Sequence, residues 1–177
     1  MKGISARKIV LAGVVAALYA VLTIVEAPIA YGPVQFRIAE ALCILPFYFP
    51  ITSLGLFVGC IIANLLSPYG MLDIVAGAAA TLLAALATMQ LGRLKRSTIA
   101  IKALACFPPV IINMILIGAV IAWASTGGGA AFWPAFAVNG IQVGLGQTAI
   151  MYIIGLPLMI YLPKTRVFIA MSEQIAN

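Results

Sequence analysis

Long stretches without a charged side chain constrain the fold of this chain more than any other feature. Residues 9–25, 41–72 and 103–163 contain no Asp, Glu, Lys or Arg. Hydrophobic residues make up 64% of the chain and charged residues 8%, whereas soluble domains average about 45–50% and about 25%. Too few polar side chains remain to cover a surface that faces water. The sequence therefore predicts an all-α integral membrane protein.

Helix-breaking residues divide the uncharged runs into six predicted helices within one membrane domain, residues 1–177. A span needs about 20 apolar residues, so the run 103–163 is too long for one helix. STGGG at 125–129 and FWP at 132–134 divide it. Pro46 and Pro50 interrupt the run after residue 41, because proline breaks helix interiors, and SPYG at 67–70 ends it. The predicted helices cover residues 9–29, 38–49, 51–66, 71–92, 103–124 and 136–162.

The positions of the cations predict how these helices cross the membrane. The net charge is +6, and nine of the ten Lys and Arg residues form three clusters between apolar runs, which is the positive-inside pattern. Six crossings place all three clusters, and both termini, in the cytoplasm; a re-entrant pair in place of the second and third crossings would do the same. Cations segregated at helix ends argue against nucleic-acid binding. The clusters are Lys2, Arg7 and Lys8; Arg93, Lys95, Arg96 and Lys102; and Lys164 with Arg166.

Residue types that build metal and catalytic sites are scarce. The chain has no His, and its three cysteines have no CxxC spacing, so we expect no metal site. Without His, only Glu40 and Asp73 could serve as acid or base, which argues against an enzyme. No Walker A pattern is present, so we expect no ATP site in this chain. The first apolar run is longer than the core of a signal peptide, and we expect it to be a membrane helix.

Four charged residues interrupt this pattern at the predicted outer face. Glu26 lies near the end of the first predicted helix, Arg37 and Glu40 lie at the start of the second, and Asp73 lies at the start of the fourth. Charges near the apolar slab are costly and usually face a partner or a cavity. The alternatives are a local Arg37–Glu40 pair on one helix and an Asp73 that only complements a helix dipole. The joint pattern favours a polar binding site.

Amides and aromatic residues join the charges in this predicted site. Asn113 and Gln147 fall near mid-membrane, and the other polar residues near the outer face. The loop from Pro28 to Val34 contains two prolines and a glycine, so we expect it to be a non-helical lid that carries Tyr31. Carboxylates, amides and aromatic rings together suit a small, flat, polar ligand. The candidate ligand-binding residues are Tyr31, Gln35, Arg37, Glu40, Asn64, Asp73, Asn139, Gln142 and Gln147.

Small residues at four-residue spacing line one face of the first predicted helix. Ala12, Ala16 and Ala20 share that face, and small residues let helices approach closely in lipid. Contact within the fold and contact with a partner helix both remain open from the spacing alone.

The segments GPVQFRIAEALCILPFYFP at 32–50 and GLFVGCIIANLLSPYGMLDIVAGAAATLLAAL at 55–86 resemble the QueT family. Its members are substrate-binding (S) subunits of energy-coupling factor transporters in the prokaryotic cell membrane. The resemblance implies six helices, a ligand captured at the outer side, and docking on a membrane T subunit with two ATPases that use the ATP. It also implies that Ala12, Ala16 and Ala20 contact the T subunit.

The ligands implied by the resemblance are queuosine precursors, 7-deazaguanines such as the aminomethyl form. Gln147 departs from the family pattern, in which Glu often occupies this position, so an amide would replace a carboxylate next to the ligand. The alternatives are an S subunit for another vitamin or nucleobase, a stand-alone ion-coupled carrier and, least favoured, a membrane enzyme.

Overall fold

The computed structural model describes residues 5–32, 34–94 and 98–176, and its regular elements in these ranges are all helices. We number them in chain order. Lys2, Lys95 and Arg96 of the predicted cation clusters, and Pro33 of the predicted lid, lie outside the described residues. The helices are α1 Ala6–Val25, α2 Ala27–Ala30, α3 Ile38–Phe47, α4 Thr52–Asn64, α5 Gly70–Gly92, α6 Ile99–Thr126, α7 Phe132–Lys164 and α8 Arg166–Ala176.

Four of the described helices, α1, α5, α6 and α7, are long and apolar enough to cross a membrane. The other two predicted spans correspond to α3, of 10 residues, and α4, of 13 residues. Each is shorter than the about 20 residues that a straight crossing needs. The structure is thus a multi-pass helical membrane protein, and six crossings with cytoplasmic termini remain a prediction.

Two predicted segments differ from the structure near the outer face. The predicted helix 9–29 ends at Val25, and the short helix α2 follows after Glu26. Pro28 lies in the first turn of α2, where a missing N–H costs nothing, so the segment expected to be non-helical is partly helical. The predicted helix 38–49 is a 3₁₀ helix that ends at Phe47 and contains Pro46.

The two longest helices carry local irregularities. Helix α6 consists of two helical segments, Ile99–Ala105 and Phe107–Thr126, which meet at Cys106 just before two consecutive prolines. In α7 one turn, Ile150–Gly155, has π geometry and precedes Pro157. Gly127 ends α6 with a positive φ of 65°, a conformation that glycine adopts at little cost.

Close packing of α1 against α4 brings the small-residue face of α1 into the core. A Cβ added at Gly59 would lie 2.7 Å from the Ala16 carbonyl oxygen, and one at Gly55 would collide with the Ala12 carbonyl oxygen. Ala16 and Ala20 are buried, and Ala12 is half-buried. The face therefore contacts α4, with Ala12 at its partly open edge.

Both ends of the described chain lie at the same end of the bundle. Arg7 donates from Nη1 to the carbonyl oxygen of Gln174 at 3.0 Å. Phe168 packs on Tyr48 and Phe49, with ring centroids 5.1 Å and 5.0 Å apart. The sequence analysis did not predict α8. Its position agrees with termini on one side of the membrane.

Replacing Gly59 by Ala should lower the melting temperature of the protein in detergent micelles. The added methyl group meets the backbone of α1, and overpacking of this kind costs about 1–3 kcal/mol. Gly13→Ala is the matched control, because no atom lies within 4 Å of a Cβ at that position. Equal melting temperatures for the two variants would contradict the packing of α1 on α4.

Candidate functional site

A small polar cavity lies among α3, α5, α6 and α7. The volume open to the centre of a water molecule is about 10 Å³, so the cavity has room for about one water. Six of its nine lining residues are polar, whereas Ile117 and Val143 provide two apolar surfaces. The residues that line it are Gln35, Arg37, Glu40, Gly77, Thr81, Asn113, Ile117, Val143 and Gln147.

The carboxylate of Glu40 is the central hydrogen-bond acceptor of this cavity. Its Oε1 accepts a hydrogen bond from the Tyr19 hydroxyl on α1. Its Oε2 accepts from Cys43 Sγ at 3.3 Å, from Asn113 Nδ2 at 3.3 Å and from Gln147 Nε2 at 3.2 Å. A carboxylate oxygen offers about two acceptor positions, so Oε2 is shared among three donors, whereas Oε1 accepts from Tyr19 alone.

The 3₁₀ geometry of α3 explains one of these contacts. With about 3.0 residues per turn, residues i and i+3 lie directly above one another. Cys43 is three residues after Glu40, and its thiol therefore reaches the carboxylate. Glu26 supports the start of the same helix, because its Oε2 accepts from the backbone N–H of Ile38 at 2.9 Å. Glu26 thus belongs to the support of α3 and does not line the cavity.

Arg37 and Asp73 form a second buried network beside the cavity. Arg37 Nη2 lies 3.5 Å from Asp73 Oδ2, and both side chains are almost completely buried. Arg37 Nε also donates to the Ala30 carbonyl oxygen at 3.0 Å. Asp73 Oδ2 accepts from the Ser67 hydroxyl at 2.6 Å. The ion pair thus connects α2 to α5.

Tyr31 covers this ion pair rather than the cavity. Its ring centroid lies 4.9 Å from Arg37 Cζ, and its hydroxyl donates to the Ala63 carbonyl oxygen. Burial raises the pKa of the Tyr31 hydroxyl, so the hydroxyl keeps its proton near neutral pH. The residue ties the segment after α2 to the end of α4.

Gln35 is the strained residue of the site. Its φ of 47° makes it the non-glycine residue with a positive φ among those described, a conformation that costs of order 1–3 kcal/mol and clusters at ligand sites. Its side chain is 5% exposed and lines the cavity. Its Nε2 is buried without a hydrogen-bond partner in the described part of the chain.

The structure brings part of the predicted site together. Gln35, Arg37, Glu40 and Gln147 line the cavity, and Tyr31, Asn64 and Asp73 support it from behind. Asn64 does so by donating from Nδ2 to the Asp73 carbonyl oxygen at 2.9 Å.

Asn139 and Gln142 do not line the cavity. Asn139 Nδ2 donates to the Ala135 carbonyl oxygen of its own helix at 2.8 Å, and Gln142 is half-buried. Asn139 lies about two helical turns before Gln147 along α7, and Gln142 lies about 140° around the helix from Gln147. Their contact with a ligand stays a prediction that this geometry does not support.

Sequence reasoning missed several members of the site, among them Tyr19, Thr81 and Asn113. Tyr19 and Thr81 resemble ordinary helix residues, and nothing in their spacing distinguishes them. Asn113 carried a usable signal, because an amide at mid-depth of a membrane helix rarely lacks a partner. The sequence analysis places Asn113 at mid-depth and does not include it among the candidate ligand-binding residues.

Removing Asp73 should destabilise the protein strongly. Asp73→Ala leaves Arg37 buried without its counter-ion, and breaking a buried pair costs about 3–5 kcal/mol. The double variant Arg37→Met with Asp73→Ala should recover much of that loss, since no uncompensated charge remains. Denaturant titration in micelles measures both free energies of unfolding, with Glu173→Ala on exposed α8 as the control. A double variant no more stable than Asp73→Ala would refute the pairing.

Comparisons with known proteins agree with the resemblance in the sequence. A family model described as the QueT transporter matches residues 9–164. The queuosine precursor transporter QueT of Lactococcus lactis subsp. cremoris (strain MG1363) is 37% identical over 84 residues, which cover 46% of this chain and 49% of that relative. The alignment thus spans about half of the relative's length, and no solved structure shows a significant match. Because the family match covers most of its residues, this chain belongs to the QueT transporter family.

Proposed function

We propose that this chain is the substrate-binding subunit of an energy-coupling factor importer for a queuosine precursor. It captures a 7-deazaguanine, such as 7-aminomethyl-7-deazaguanine, from the outer side of the prokaryotic cell membrane. It then docks on a membrane T subunit with two ATPases, and ATP hydrolysis there drives release inside. Family membership and the name of the Lactococcus relative support the transported class.

The observation that carries this proposal is the polar cavity around Glu40. A heteroaromatic base offers N–H and carbonyl groups at its edge and an apolar face. The cavity offers amide, guanidinium and carboxylate groups together with the apolar side chains of Ile117 and Val143. Ligand sites of this kind combine an apolar wall with a few placed polar groups.

A deazaguanine needs more space than the cavity provides, so binding requires the walls to move apart. The segment between α2 and α3 is the natural moving part, because it carries Gln35 and ends at Arg37. Contacts that hold it against the neighbouring helices include Tyr31 on the Ala63 carbonyl oxygen of α4 and Arg37 on Asp73 of α5. Opening the segment breaks these contacts, and closing it over the ligand restores them.

The face of α1 supports the docking part of the proposal. An apolar groove of about 210 Å³ runs between α1 and α4 and includes Ala12 and Ala16, with Ile9, Leu54 and Val58 around them. A helix of the T subunit would find backbone close to the surface here, as small residues permit. Ala20 is buried and would support this groove rather than line it.

An S subunit for another nucleobase or vitamin is the second candidate. It is favoured by the amides of the cavity, which would also suit other rings with N–H and carbonyl groups. A panel of ligands separates the two candidates, because fold alone does not fix the ligand.

Calorimetric titration of the purified chain tests the ligand class. We expect 7-aminomethyl-7-deazaguanine to bind, and guanine and thiamine to bind at least about 100-fold more weakly. Gln147→Ala should weaken binding of the deazaguanine by about 10- to 100-fold, since a buried polar partner is lost. Gln142→Ala, five residues away on α7 and outside the cavity, should bind as the unchanged protein does.

Tighter binding of thiamine or guanine than of the deazaguanine would overturn the ligand assignment. It would leave the family membership untouched. Equal effects of Gln147→Ala and Gln142→Ala would show that the ligand does not use this cavity.

Docking is tested separately by Ala12→Leu. The larger side chain fills the groove between α1 and α4, so the variant should bind the deazaguanine normally yet lose co-purification with its T subunit. Val14→Leu, on an exposed part of α1, is the matched control and should keep both. Normal co-purification of Ala12→Leu would argue that the T subunit docks elsewhere.

A further inference from the structure

The orientation of two amides in the cavity is fixed by the carboxylate of Glu40. Asn113 Nδ2 and Gln147 Nε2 both donate to Glu40 Oε2, at 3.3 Å and 3.2 Å. A carboxylate accepts hydrogen bonds and repels a carbonyl oxygen. Each amide must therefore turn its NH₂ group toward Glu40 and its carbonyl oxygen away from it.

The carbonyl oxygens of these amides are then available to a ligand. Neither oxygen accepts a hydrogen bond from the residues that the structure describes, and neither is completely buried. Glu40 Oε2, the oxygen that both amides contact, already accepts from three donors, so a ligand N–H at this oxygen would have to displace one of them. The acceptors on offer are thus the two amide oxygens rather than the carboxylate.

Gln35 supplies the complementary group. Its buried Nε2 has no partner among the described residues, and its side chain lines the same cavity. An unpaired buried donor costs stability unless a ligand acceptor satisfies it. A strained backbone holds this side chain in place.

We propose that Glu40 is a positioning residue that sets the hydrogen-bond pattern of the site, and that Asn113, Gln147 and Gln35 read the ligand. The cavity then selects a ring edge on which one carbonyl adjoins two N–H groups. That pattern belongs to a 2-aminopyrimidin-4-one edge, as in guanine and its 7-deaza analogues. The proposal rests on the proposed function, because it specifies how the same cavity recognises its substrate.

Comparing 7-deazaguanine with 7-deazaxanthine tests this assignment. The two rings differ at C2, where an amino group that donates is replaced by a carbonyl that accepts. In the unchanged protein we expect 7-deazaguanine to bind about 10- to 100-fold more tightly, since 7-deazaxanthine sets its carbonyl against an amide oxygen. Competition against a radiolabelled 7-deazaguanine measures both affinities.

Glu40→Gln should reduce that preference at least about tenfold. The new amide can donate from its own NH₂ group to the carbonyl oxygen of Asn113 or Gln147. That residue can then turn its NH₂ group into the cavity and donate to the C2 carbonyl of 7-deazaxanthine. If Glu40 had a purely structural role, the substitution would weaken the binding of both ligands equally and leave the ratio of their affinities unchanged. An unchanged ratio in Glu40→Gln would therefore overturn the proposal.

A second variant leaves the carboxylate intact in case Glu40→Gln does not fold. Gln147→Met removes one acceptor at similar size and should also reduce the preference about tenfold. Gln142→Met is its matched control and should preserve the ratio. The ratio remaining unchanged in Gln147→Met would likewise overturn the proposal.

Ligand binding by the unchanged protein alone tests the proposed function. If that protein binds neither 7-deazaguanine nor its aminomethyl form, the function and this inference both fall. If it binds 7-deazaguanine with no preference over 7-deazaxanthine, only the inference falls.

Discussion

The burial of one carboxylate determines how the bundle is assembled. Glu40 is 3% exposed, and a charge in such a place is costly unless hydrogen bonds replace its water. Its four donors come from α1, α3, α6 and α7. These helices must approach within hydrogen-bond distance of a single point, so the same requirement brings them together and leaves a polar cavity between them.

A second buried charge stands beside the first and serves a different purpose. Arg37 joins Asp73 on α5 to the Ala30 carbonyl oxygen on α2, under the ring of Tyr31. Glu40 joins α1, α3, α6 and α7, whereas Arg37 joins the start of α3 to α2 and α5. This division explains why the site contains two networks rather than one larger cluster. Asp73 here pairs with Arg37 and Ser67 beside the cavity, and its contact with a ligand stays a prediction.

Hydropathy and charge were sufficient to predict a multi-pass helical membrane protein and to find its polar centre. Gln35, Arg37, Glu40 and Gln147 could be predicted because polar residues are rare in this chain and costly in lipid. The 3₁₀ form of α3 could not, since it depends on tertiary contacts around Pro46 and on Glu26 at its start.

Physical causes also explain which cavity residues the sequence analysis missed and which candidates lie outside the cavity. Tyr19 is an ordinary aromatic residue until its hydroxyl meets Glu40, and only the folded arrangement shows that contact. Asn139 and Gln142 lie outside the cavity, because Asn139 is about two turns from Gln147 along α7 and Gln142 is on another face of that helix. The sequence analysis did not predict helix α8, because its apolar residues follow a basic turn and are too few to span a membrane.

The most direct test of this account is an experimental structure of the protein with 7-aminomethyl-7-deazaguanine bound. We predict density for the ligand in a widened cavity above Glu40, with its carbonyl at Gln35 Nε2 and its N–H groups at the carbonyl oxygens of Asn113 and Gln147. Glu40 should keep its four donors. Density in direct contact with the Glu40 carboxylate would contradict the recognition pattern, and density outside this cavity would contradict the site itself.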